Sequence, residues 1–142
     1  MTLFHRHRRV LLAALAALPL TSIAQAPWPA RPITLVVPFA AGGGTDSIAR
    51  DIAKTLADRL GQPVIVDNRG GAGGAIGANL VAKAPGDGHT LLFATSTFAT
   101  NAAIETKLPF DPVKDFAPVA MIGRGPLLVV TNKALGVSSI AQ

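Results

Sequence analysis

The sequence predicts an α/β fold, a parallel sheet with helices packed on its faces. Apolar runs and amphipathic segments alternate in the order strand–helix–strand–helix–strand, the pattern of a parallel sheet. The first two candidate strands each run into a glycine loop that opens a helix, at Pro38–Asp46 and at Asn68–Gly74. Nine of the 14 glycines fall between Gly42 and Gly77, so they build particular loops rather than loosening the whole chain. In such sheets ligands bind beyond the carboxyl ends of the strands. Both glycine loops and the hydroxyl run Thr95-Ser96-Thr97 are predicted to fall there.

The proline-fixed lead-in Trp28-Pro29-Ala30-Arg31-Pro32 precedes the first strand, Ile33–Val37, an unbroken apolar run of the kind that a buried strand needs. The first helix places Ile48, Ile52, Leu56 and Leu60 four apart beside Ala49, Ala53 and Ala57, one apolar face at a period of 3.6. Thr45 or Asp46 is expected to cap it, and Gly61 with Pro63 to end it. Strand two is Val64-Ile65-Val66. The second helix is expected to bury Ile76, Leu80 and Val81, and to stop at the turn cluster Ala84–Gly88. Strand three is Thr90–Ala94, with a short helix around Thr100–Ile104. Leu108–Phe116 reads as a surface connection. Val119–Ile122 and Leu127–Val130 read as two further strands around Gly123–Pro126, and Ser138 or Ser139 as a cap. The sequence stops where that helix would begin, so the chain is expected to be the N-terminal portion of something longer.

Residues 1–24 read as a secretory signal peptide. Arg6, Arg8 and Arg9 supply a positive start, and the apolar core from Val10 to Leu20 is short for a membrane span. Cleavage after Ala24 is preferred to cleavage after Ala26, which would place Pro27 at the scissile bond. No covalent membrane anchor is expected. The leader also carries much of the basic charge. The whole chain is +5, but without those three arginines ten basic residues face eight acidic ones, a net +2. With no basic stripe and few aromatics, nucleic acid is not an expected partner.

Several chemistries lack their residues. Cysteine is absent, so there is no disulfide, thiolate nucleophile or zinc–thiolate site. Gly71 and Gly73 begin a dinucleotide fingerprint, but Ile76 stands where the third glycine belongs. No Gly-Lys pair marks a P-loop, and no G-x-S-x-G elbow occurs. His89, the one histidine beyond the leader, sits in a turn and reads as a surface residue. Asp46 reads as a cap rather than a base. Arg69 either meets a ligand carboxylate or faces solvent, and the second is favoured. No catalytic residue, metal site or cofactor is predicted. A backbone-lined anion site in an exported α/β protein points to a solute receptor that closes around its ligand. The alternatives are an exported α/β enzyme using the loops as an oxyanion or phosphate site, and a nonfunctional fragment.

Four ordered stretches, Val36–Asp46, Val66–Gly77, Pro85–Leu92 and Leu108–Val119, closely resemble the Bug-type substrate-binding proteins of tripartite tricarboxylate transporters. The resemblance runs from Trp28 to the end of the chain. It implies a type II periplasmic-binding-protein-like fold of two lobes that binds small organic acids for membrane transporter subunits. Residues 25–124 would be the first lobe. Residues 125–142 would be the hinge crossing and the start of a second lobe. The resemblance further implies that the ligand carboxylate is held at Phe39, Ala40, Gly43, Gly44, Thr45 and Asp46 of the first loop. Ala72, Gly73 and Gly74 of the second loop would join them, with Ser96 and Thr97 facing the cleft.

Overall fold

A computed structural model describes residues 27–125, 128–137 and 139. The predicted leader, Pro126, Leu127 and Ser138 lie outside these residues. β1 (Ile33–Val37), β2 (Val64–Asn68) and β3 (Thr90–Leu92) form a parallel sheet in the order β2-β1-β3. α1 (Gly44–Leu60) connects β1 to β2. A 3-10 turn (Ala72–Gly74) and α2 (Ala75–Ala82) connect β2 to β3, and α3 (Ser96–Ile104) follows β3. Ile33 pairs with Val64 and Val37 with Asn68 on one side of β1, and Thr34 with Thr90 and Val36 with Leu92 on the other.

The central position of β1 explains its composition. A strand flanked on both sides and covered on both faces is mostly apolar: Ile33, Leu35, Val36 and Val37 are buried, and Thr34 is half-buried. Leu35 and Val37 form the core with Ala49, Ala53 and Phe93, and Ile52, Val64, Val66 and Leu91 pack around it. The path from β1 to β2 and back across β1 to β3 reverses the direction of winding. Right-handed crossovers then put α1 and α2 on opposite faces.

The helix periods agree with the sequence, but the buried residues are smaller than expected. Ile48, Ile76 and Leu80 are exposed, whereas Ala49, Ala53, Gly77 and Ala78 are buried. Short side chains let the helices lie close to the sheet, and the larger ones flank the line of contact. β2 runs two residues further than predicted, and β3 ends two residues earlier at Leu92. α3 starts at Ser96, four residues before the predicted helix.

One reading from local composition is corrected by a long-range contact. His89 is buried rather than on the surface, because the Trp28 ring meets it edge-on at 5.8 Å. Trp28 Nε1 donates to the Asp87 carbonyl (3.0 Å), and Arg31 pairs with the Asp87 carboxylate (2.8 Å), fastening the lead-in to that turn. The segment 108–116 is the expected surface connection, with Phe110 and Phe116 anchoring it. Phe98 of α3, Phe110 and Phe116 contact one another at centroid distances of 5.2–6.2 Å. Asp111 accepts from the amides of Val113 and Lys114.

The predicted strand Val119–Ile122 is not a strand. Val119, Met121 and Ile122 are exposed, as are Leu128, Val129 and Val130 of the other candidate. A strand requires a neighbour for its N–H and C=O groups, and among the described residues neither segment has one. A single turn of 3-10 helix, Lys133–Leu135, follows.

Candidate functional site

The carboxyl ends of the three strands bring three helix starts to one edge of the sheet. β1 leads into the loop before α1, β2 into the 3-10 turn before α2, and β3 directly into α3. Between β1 and β3 the winding reverses, the place where open α/β sheets form their binding crevice. A cavity of about 20 Å³ lies there, room for roughly one water. Phe39, Gly73, Gly74, Thr97 and Asn101 are among its lining residues, and no charged side chain is.

None of the three starts carries a side-chain cap. Gly43 precedes α1, Gly74 precedes α2 and Thr95 precedes α3, and none makes a side-chain cap hydrogen bond. In α1 the first intrahelical bond is Ser47 N–H to the Gly43 carbonyl (3.0 Å). The amides of Gly44, Thr45 and Asp46 therefore precede the helical ladder, at the positive end of the helix dipole. The Thr95 hydroxyl is buried without a hydrogen-bond partner among the described residues.

The expected cap by Thr45 or Asp46 is replaced by another arrangement. Helix geometry already begins at Gly44, so Thr45 and Asp46 stand inside the first turn. Asp46 is buried, and its carboxylate reaches back to the Gly42 amide (2.8 Å), much as the third residue of a capping box does. It also accepts from Arg50 Nε (3.0 Å) and Asn68 Nδ2 (2.9 Å). Asn68 donates further to the Phe39 carbonyl (3.2 Å) and accepts from Arg50 Nη2 (3.1 Å). The end of β2 thus braces the first loop. Asp46 thus spends its carboxylate on protein donors, the Gly42 amide of the same loop among them.

Arg50, then the Gly42 amide and Asn68, hold the Asp46 carboxyl at about 2, below its ordinary 3.8, with burial opposing them. A folded-state value below the unfolded one means that the ionised form contributes fully above pH 3.8. That contribution is lost as pH falls through about 2. Asp46→Asn is expected to lower the urea midpoint at neutral pH and to flatten its fall below pH 3.8. Asp87, bonded to the His89 amide and Arg31, and Asp111, bonded to the Val113 and Lys114 amides, are also lowered and keep some of the slope. Equal slopes in variant and wild type would show that Asp46 is not part of acid unfolding.

In the second loop, four successive residues have positive φ: Gly71 (116°), Ala72 (46°), Gly73 (62°) and Gly74 (96°). Glycine takes this region freely; Ala72 does so against the clash of its Cβ. Arg69 pairs with its neighbour Asp67 (2.9 Å) and is half exposed, in accord with the solvent-facing expectation.

Of the predicted site residues, the cavity lining brings together Phe39, Gly73, Gly74 and Thr97. Ala40, Gly43, Gly44, Ala72 and Ser96 are exposed on the surrounding loops, and Thr45 is half buried. Thr95, of the predicted hydroxyl run, also lines the cavity; sequence reasoning missed Asn68 and Arg50, which hold the first loop, and Phe98 and Asn101, which line the cavity. Thr97 and Asn101 lie one helical turn apart, a signal hidden by the late helix start.

Comparison with known proteins follows the same outline. Residues 48–141 match the family described as tripartite tricarboxylate transporter family receptor. Protein BugT of Bordetella pertussis is 47% identical over 115 residues, 80% of this chain and 35% of that protein. A UPF0065 protein of a Pseudomonas species is 42% identical over 127 residues, 87% of this chain and 38% of that protein. The chain spans between a third and two fifths of the length of these relatives. Among solved structures, MatC from Rhodopseudomonas palustris, with bound malate, superposes with a TM-score of 0.61 at 45% identity. That match covers 67% of this chain and 33% of MatC. A periplasmic transporter superposes with a TM-score of 0.58 at 52% identity, over 61% of this chain and 30% of the other. The parallel sheet with its glycine loops is therefore that of the periplasmic binding proteins, and the chain belongs to the tripartite tricarboxylate transporter receptor family.

Proposed function

We propose that this chain is the first-lobe part of a periplasmic receptor that binds small carboxylates and hands them to the membrane subunits of a tripartite tricarboxylate-type transporter. The observation that carries this reading is the meeting of three helix starts without side-chain caps at the switch point of the sheet, around a cavity whose lining holds no charged side chain. At the rim of this small cavity a carboxylate would be held by backbone N–H groups and the dipole, worth ~0.3–1 kcal/mol per exposed helix end. The loops at Phe39–Asp46 and Gly70–Gly74 are assigned to the carboxylate, with the hydroxyls of Ser96 and Thr97 beside them. Malate bound to MatC, at 45% identity, supports an organic-acid ligand. The reading includes export with removal of residues 1–24, a first lobe over residues 25–124, and a crossing toward a second lobe over 125–142.

The reading is non-enzymatic. Asp46 is committed to Gly42, Arg50 and Asn68. His89 adjoins the amino end of β3, away from the carboxyl ends where the loops meet. Calorimetric titration with malate, and with its diamide as the uncharged control, tests the proposal. Stoichiometric binding of the acid without turnover, and none of the diamide, is expected. Equal binding of both would overturn the anion site, and product formation would overturn the receptor.

A further inference from the structure

We infer that Asn101 is a positioning residue that holds the second glycine loop in its binding shape; the inference rests on the carboxylate-receptor reading. The run Gly71–Gly74 has positive φ throughout and includes one alanine. A backbone bond from Gly74 N–H to the Gly71 carbonyl (2.9 Å) spans it. Ala75 N–H to the Ala72 carbonyl adds a second local bond. A further tie comes from outside the loop: Asn101 Nδ2 donates to the Gly73 carbonyl.

Gly73 and Asn101 fit each other. A Cβ at Gly73 would run into Asn101 Nδ2 and stand 3.3 Å from its Cγ. The missing side chain at one position is thus the space that the amide at the other occupies. Asn101 lies in α3, one turn beyond Thr97, so this single bond ties the loop after β2 to the helix after β3. It complements Asn68, which ties the end of β2 to the loop after β1. The two asparagines thereby link the three helix starts in series. Left with its local backbone bonds alone, a left-handed run containing Ala72 has an incentive to relax toward ordinary φ values, carrying its amides away from the ligand.

Hydrogen exchange in the full chain reads this directly, with Asn101→Ala and the near-isosteric Asn101→Asp, which has no N–H to donate. Both variants are expected to quicken exchange across residues 69–76 about tenfold, the measure of one hydrogen bond, and to leave β1 and α1 unchanged. Asn101→Ala is expected to weaken malate binding by about the same factor, and Asn101→Asp by more, because its carboxylate adds like charge beside the anion site. Wild-type exchange in Asn101→Asp would overturn the inference, reducing Asn101 to a space-filling residue. Equal acceleration in β1 and α1 would also overturn it, as a general loss of stability. Quickened exchange confined to the loop, in a protein whose wild type binds no carboxylate, would leave the brace standing and remove the receptor reading.

Discussion

Gly43→Val is expected to abolish carboxylate binding while leaving the protein folded. Gly43 has φ −82° and ψ 170°, extended backbone open to any residue. A Cβ there would meet nothing nearer than the Ala40 carbonyl oxygen at 3.8 Å, an ordinary contact. The cost to the fold is the poorer fit of valine before a helix, about 1 kcal/mol. Binding is a different matter. The added methyl groups stand on the open side of the loop, where an anion must approach the amides of Gly44 and Thr45. Charge-assisted hydrogen bonds contribute roughly 1.5–3 kcal/mol each. Losing two removes a factor of about a hundred or more in affinity. Titration calorimetry beside a thermal melt checks both halves. Unchanged affinity in an intact protein would take the first loop out of the site.

The parts of this molecule that were legible in its sequence are those fixed locally. β1 announces itself because a central strand covered on both faces is apolar at nearly every position, here all but Thr34, and the glycine loops because their residue types admit little else. The helix contacts were less legible. Hydropathy ranks Ile48 and Ile76 above Ala49 and Gly77, but closeness to the sheet decides which are buried, and closeness selects small residues. Ala72 gave no sign of its left-handed conformation, since nothing in an alanine favours it; the glycines on either side and the surrounding loop impose it.

The site was half legible for the same reason. Asp46 is of the right type for a helix start but stands at the third helical position, where its carboxylate turns back toward Gly42. Arg50 is one turn away, but a third partner, Asn68, is 22 residues away. His89 is covered by Trp28, and Gly73 is held by Asn101 from 28 residues away. Such contacts leave no local period to read. Val119–Ile122 shows the converse limit. A β-prone composition states what a segment would do beside another strand, and among the described residues that neighbour is absent.

Gly77→Val is expected to weaken both the fold and the site, and so to separate packing from ligand contact. Gly77 lies in the first turn of α2, where the helix is pressed against the ends of two strands. A Cβ there would stand 2.8 Å from the Arg69 carbonyl oxygen and 3.2 Å from Pro38 Cα, both backbone atoms without a rotamer to yield. Valine gains a few tenths of a kcal/mol over glycine in helix propensity. Overpacking against fixed backbone costs about 1–3 kcal/mol, and contact with two strand ends places this site toward the upper part of that range. The net loss should be about 2 kcal/mol, visible as a lower urea midpoint with an unchanged slope. Pro38 opens the first loop and Arg69 leads into the second, so moving α2 outward also spreads the two sets of amides. Carboxylate affinity should then fall together with stability, whereas in Gly43→Val it falls alone. An unchanged midpoint would mean that α2 has room to shift, and that the close approach at Gly77 does not set the spacing of the loops.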